Sequence, residues 1–212
     1  MCYHTEQTKF AFEVESRFKA KIKELKKFKP SAHFNGFDFP KTPIIIDENP
    51  TEILEYNWGL IPSWSANEDI QKVTLNAKIE TLDEKPSFRD VINKRCLVIA
   101  NGFYEWQWHD IKGKSKTKYQ IGIGNENLFV FAGLYAHWTD KTTGEIKDTY
   151  TIVTTVANPL MAEIHNIKKR MPIILKPEDE KKWLEHCPYQ EFAFPYSVNL
   201  VANNLESQKS LF

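Results

Sequence analysis

The stretch "KRCLVIANGFYEWQW", residues 94–108, decides how this 212-residue chain folds. It is rich in β-branched and aromatic side chains, and it carries charge only near its ends and at Glu105. That composition predicts one buried β-strand rather than a helix. "HDIKGKSKTK" (109–118) follows as a basic hairpin tip containing Gly113. "YQIGIGNENLFVFAGLY" (119–135) then reads as two strands around an Asn-rich turn. Gly122 and Gly124 lie inside strand pattern with no helix after them, so they do not make a dinucleotide-binding loop.

Outward from this centre the same texture continues. "KTPIIIDENP" (41–50) is a short strand stopped by turn residues, and "YNWGLIPSW" (56–64) is a strand entering a Pro-bearing loop. "DTYTIVTTVAN" (148–158) is a strand, "PLMAEIHN" (159–166) a short helix opened by Pro159, and "RMPIIL" (170–175) a buried strand. "KPEDEKKWLEH" (176–186) is a helix with acidic residues in its first turn, where they favour the macrodipole. "VESRFKAKIKELKKF" (14–28) spaces Phe18, Ile22, Leu25 and Phe28 as one face of an amphipathic helix whose outer face is basic. Many short strands with few helices predict an α+β fold, with a mixed, curved β-sheet, in a single domain over residues 1–212.

Composition narrows the function classes. Basic and acidic residues balance at 28 each, so only a local basic patch can argue for nucleic acid. Three cysteines, Cys2, Cys96 and Cys187, are an odd count without a CxxC, which argues against a disulfide framework. No leader and no membrane-spanning apolar run stand out, so a reducing, cytoplasmic compartment is expected. The His and Cys residues show no zinc-ligand spacing, and there is no GxSxG elbow or P-loop; neither metal nor cofactor is expected.

Four residues stand out as chemistry. Without Met1, Cys2 would carry a free α-amine and a thiol on adjacent carbons, a pair that condenses with an aldehyde and closes a thiazolidine ring. Glu105, between Tyr104 and Trp106, either points into an aromatic pocket, where desolvation makes it a general acid or base, or outward into solvent. His165, beside Ile164, is a hydrogen-bonded structural residue or a catalytic one, and Asn76 in "TLNAKIETL" fits a loop anchor. Lys78, Lys168, Lys169 and Arg170 are phosphate contacts or simply solubilising charge.

Five motifs in order, the Met-Cys start, "WGLIPSW", "NAKIET", "RCLVIANGFYEW" and "IHNIKKRMPIIL", together resemble the SOS response-associated peptidase (SRAP) family, which protects abasic sites in single-stranded DNA. "FAGLY" and "TIVTTVAN" also fit. The resemblance implies a sheet curled into a barrel-like core with peripheral helices. It implies Cys2 as nucleophile after loss of Met1, Asn76 positioning the N-terminus and the ring-opened sugar, Glu105 as acid/base, and His165 assisting at the sugar hydroxyl. It further implies single-stranded DNA carrying abasic sites as partner, with Lys78 and Arg170 meeting phosphates; Trp64 is a candidate for base stacking, Thr154 a weaker candidate for a phosphate hydrogen bond, and a monomer is expected. The chain differs from the family in Tyr3 and His4 where Gly-Arg is usual and in Lys78 where Arg is usual. It also differs in Asn166–Lys169, where the family has a single residue.

Overall fold

In a computed structural model, which describes residues 2–125 and 127–206, the stretch 94–108 is two strands that enter different sheets. The break falls at Asn101. Its side-chain oxygen accepts from Thr8 N at 2.7 Å, and its own N–H donates to Glu6 O at 3.1 Å. These bonds take the chain out of one ladder and hand it to the next. Gly102 follows because any Cβ there would run into the Glu6 carboxylate.

In chain order the strands are β1 (His4–Gln7), β2 (Lys21–Ile22), β3 (Ser31–Asn35), β4 (Lys41–Ile46), β5 (Asn49–Trp58), β6 (Asn76–Lys78) and β7 (Arg95–Ala100). They continue as β8 (Gly102–Trp108), β9 (Lys116–Gly122), β10 (Phe129–Thr139), β11 (Ile146–Val156), β12 (Arg170–Pro172) and β13 (Val201–Asn204). The helices are α1 (Ala11–Phe18), α2 (Pro159–Ile164) and α3 (Glu180–Leu184). One sheet runs β12-β11-β10-β7-β4-β5-β2, and β11 also pairs in parallel with β5 through Thr149 and Tyr150. That pairing closes β11, β10, β7, β4 and β5 into a five-stranded barrel, which removes exposed edges. The second sheet runs β13-β9-β8-β1-β3. The expected α+β fold with a barrel-like core is therefore the observed one.

The barrel strands alternate, and each feeds two cores. Leu97, Ile99, Val130 and Val153 pack with Val14 of α1 and Trp183 of α3. Val98, Phe131, Tyr150 and Trp58 pack with Phe103 and Ile121 of the second sheet, and with Cys2. The cysteine is thus anchored where the two sheets meet.

Two more expectations need correction. The helix expected over 14–28 ends at Phe18, because Lys19 turns left-handed at φ 52° and Ile22 pairs with Ile53 of β5. Glu15 accepts from the Ile22 N–H at 3.0 Å, so the helix folds back on the segment that was to extend it, and Leu25 is left exposed. The two strands expected around the Asn-rich turn are present, and each joins a different sheet: β9 lies between β8 and β13, and β10 between β7 and β11. The C-terminal helix is a single α-helical stretch, Glu180–Leu184, after a 3-10 turn at Pro177–Asp179. By contrast α2 begins as expected, with Pro159 in its first turn and Asn158 capping the Met161 N–H at 2.9 Å. Among the described residues no helix is long and apolar enough to cross a membrane.

Candidate active site at the junction of the two sheets

Strand parity settles which way Glu105 points. Phe103 is fully buried in the junction core, and Glu105, two residues on, shares its face of β8. Tyr104, Trp106 and Trp108 occupy the other face, and Glu105 itself is only 6 % exposed. Burial raises its carboxyl from an ordinary 4.5 to about 7, which lets it hold or release a proton near neutrality.

β1 brings the N-terminal residues to this carboxyl. It is an interior strand, with Thr5 opposite Phe103 of β8 on one side and Phe34 of β3 on the other. Tyr3 O accepts from Gly36 N at 2.8 Å, and Asn76 Nδ2 donates to Cys2 O at 2.8 Å. Asn76 is fixed by β6, which runs parallel to β11 with Asn76 opposite Ile152. Its Oδ1 is buried with no hydrogen-bond partner among the described residues. Burial, and then the nearby Glu105 charge, push the Cys2 thiol far above its ordinary range. Sγ lies 3.9 Å from His4 O.

A cavity of about 340 Å³ opens beside Glu105, with Tyr3, His4, Trp106, His165 and Lys168 among its walls. His165 follows α2, and its Nδ1 sits 2.9 Å from Arg170 O. The Arg170 N–H lies 3.2 Å from the same Nδ1, so the Arg170 backbone holds the ring on both its carbonyl and its amide side. Burial first, with the Lys168 charge adding to it, lowers His165 to about 4. It is a neutral imidazole at physiological pH. Cys2, Asn76, Glu105 and His165, distant in sequence, are therefore brought to one junction.

The residues expected to meet DNA divide. Lys78 and Thr154 are register partners between β6 and β11, and Arg170 of β12 reaches Thr154 O at 2.8 Å. Arg170 also forks onto Glu80 with two bonds of 2.8 Å. Thr154 itself is fully buried, and its hydroxyl donates to Ala77 O at 3.1 Å. Lys78 is exposed. Trp64 is half exposed in the loop after β5, its indole N–H donating to Pro86 O at 3.1 Å, and it is not among the residues lining the cavity.

Sequence reasoning missed several neighbours. His4 Nδ1 lies 2.9 Å from His33 Nε2, and the two rings stack at 5.0 Å while His4 sets its edge to Trp106. Burial, with His33 next, lowers His4 to about 4. Glu6, buried, accepts from Tyr104 Oη at 2.5 Å and Gln120 Nε2 at 2.6 Å, tying β1 to β8 and β9. Asn166 clamps the backbone of Trp108, accepting at 3.2 Å and donating at 2.8 Å. Glu6, a carboxylate inside a strand, was a visible signal, and His4 and Asn166 stand out in the sequence only as departures from the family; nothing local marks His33.

The profile described as SOS response associated peptidase (SRAP) matches residues 1–206. Abasic site processing protein YoqW of Bacillus subtilis is 45% identical over 142 residues, covering 66% of this chain and 61% of that protein. Abasic site processing protein HMCES of Xenopus tropicalis is 31% identical over 188 residues, covering 75% of this chain and 55% of that one. The matches thus span about three fifths of these relatives or less. A crystal structure of a protein from Bacteroides thetaiotaomicron superposes with a TM-score of 0.84 at 36% identity, covering 98% of this chain and 94% of its own. A second, from Bordetella bronchiseptica, has a TM-score of 0.78 at 24% identity, covering 96% of this chain and 99% of its own. The chain belongs to the SOS response associated peptidase (SRAP) family.

Proposed function

We propose that this protein binds single-stranded DNA and crosslinks to abasic sites through Cys2 after removal of Met1, shielding the lesion during the DNA damage response. One observation carries the reading: Asn76 holds the Cys2 carbonyl at 2.8 Å beside a buried Glu105 whose carboxyl titrates near 7. The names of the relatives, abasic site processing proteins, point the same way.

The chemistry follows from these groups. An abasic sugar opens to an aldehyde. The free α-amine of Cys2, ordinarily titrating near about 8, adds to that carbon as the neutral base. Glu105 gives its proton to the departing oxygen, water leaves, and an imine remains. The Cys2 sulfur then adds to the imine carbon while the thiol proton passes to the nitrogen by way of the Glu105 carboxylate. A thiazolidine and one water are the products. Neutral His165 hydrogen-bonds the sugar hydroxyl, and Asn76 Oδ1 takes an N–H of the Cys2 amine.

A thiol pushed up and an imidazole pushed down are the reverse of the thiolate–imidazolium pair a cysteine peptidase uses, which favours amine-led chemistry over proteolysis of other proteins. For DNA contact, Lys78 and Arg170 offer charge along the β6–β12 side, with Thr154 steadying Arg170 from beneath. Trp64 offers a stacking surface.

Intact mass spectrometry before and after incubation with an abasic single-stranded oligonucleotide tests the reading. Met1-free protein is expected to gain the mass of the oligonucleotide less one water, and Cys2→Ala is expected to form no thiazolidine. An equal and equally stable adduct with Cys2→Ala would overturn it.

A further inference from the structure

The loop between α2 and β12 delivers a second primary amine to the cavity that holds Glu105 and His165. The loop is pinned at both ends. Asn166 makes its two bonds to the Trp108 backbone at one end. At the other, Lys169 turns left-handed at φ 48°, donates from its N–H to His165 O at 2.8 Å, and accepts from Ala157 N at 3.0 Å. Between these anchors Ile167 and Lys168 are exposed and line the cavity. The other lysine on its wall, Lys116, holds its ammonium 4.3 Å over the Trp108 ring. Lys168 makes no ion pair with any described residue, and its charge is close enough to His165 to help depress that imidazole.

We propose that Lys168 is a second amine nucleophile for aldehyde sugars in this cavity, and that its Schiff base leads to strand cleavage where that of Cys2 leads to a lasting crosslink. The inference rests on the abasic-site reading above. Lys168 Nζ, having released one ammonium proton to solvent, adds to the aldehyde carbon, C1′, and the oxygen leaves as water with the proton of Glu105. Lys168 has no thiol beside its amine, so no ring closes and the imine persists. The Glu105 carboxylate then takes a proton from C2′. The electron pair of that C–H bond forms the new double bond as the C3′–O bond breaks, and the phosphate leaves with the C3′–O electrons. Water hydrolyses the imine and returns Lys168 as the amine. Nothing is oxidised or reduced. Whether Cys2 or Lys168 captures the aldehyde first decides between shielding the lesion and cutting the strand.

The test uses Cys2→Ala protein, an abasic single-stranded oligonucleotide and sodium cyanoborohydride, which reduces an imine to a stable amine. Peptide mass spectrometry is expected to map a reduced adduct to Lys168, and cleaved oligonucleotide is expected when the reductant is omitted. Lys168→Arg, which keeps the charge, is expected to lose both in the same background. Adduct found only at the N-terminal amine or at other lysines overturns the proposal, whatever the stability of Lys168→Arg. If Met1-free wild-type protein crosslinks yet Lys168 carries no adduct, this inference fails alone. If the wild type forms no crosslink and no lysine is trapped, the abasic-site reading fails with it.

Discussion

A carboxylate buried where the two sheets meet gives the protein a pH dependence that can be worked out from one residue. Glu105 titrates near 7 in the folded chain against an ordinary 4.5. Its folded pKa is the higher one, so the stability it contributes is complete below about 4.5 and is lost as pH rises through 7. Glu105→Gln is therefore expected to be more stable than wild type near pH 8, by on the order of 3 kcal/mol, with the gap closing near pH 5. Urea unfolding at the two pH values checks this; an equal gap at both would contradict it. In the same variant crosslinking is expected to slow by about 10²–10⁴-fold at neutral pH, read from the rate of adduct formation. The oddity of Glu105 was legible in sequence, because a strand otherwise free of interior charge drew the eye to it. Its direction was not, since that depends on which face of β8 meets the junction core. Asn76 and His165 were legible as residue types through family likeness, while their convergence depends on the parallel pairing of β6 with β11.

At the scale of elements, the informative failure is the split of 94–108 into β7 and β8. Hydrophobic pattern runs unbroken across Asn101 because both strands are buried, and pattern alone cannot mark a change of sheet. The marker is the Asn-Gly pair, read as strand interior when it was a handover. Gly102 lies against Glu6, which in turn holds Tyr104 and Gln120. Gly102→Ala is expected to displace Glu6 and to destabilise by about 1–3 kcal/mol, a fall in unfolding temperature of roughly 2–10 °C by differential scanning calorimetry. Because Glu6 belongs to β1, the strand that directly follows Cys2, the loss of crosslinking at a temperature where the variant remains folded is expected to exceed the fraction unfolded. The failed helix over 14–28 has a similar origin. Its apolar spacing is real, but Ile22 meets it by pairing with β5, and strand pairing outweighs a marginal helical preference. Where the local signals were chemical rather than periodic, as at Asn158-Pro159, the element started on the expected residue.

For the whole molecule, charge balance sets the terms of DNA binding. With 28 basic and 28 acidic residues there is no overall positive field, so salt-dependent binding has to come from local groups such as Lys78 and Arg170. Lys78→Ala is expected to weaken single-stranded DNA binding evenly across sequences and to reduce the slope of log affinity against log salt by about 0.7, measured by fluorescence anisotropy. An unchanged slope would remove Lys78 from the contact set. The closed barrel has a consequence of another kind. Asn76, Lys78 and Arg170 lie opposite Ile152, Thr154 and Val156, so β11 works as a graduated ruler with marks two residues apart, roughly 7 Å. Glu105 is read off a second scale, β8, and the two scales meet at Cys2. A chain mispaired by one rung on either sheet would keep most of its hydrogen bonds yet misalign the vernier, leaving a folded barrel with no working junction. The architecture therefore ties reactivity to correct register, and the aminothiol acquires its partners only once both sheets are in place.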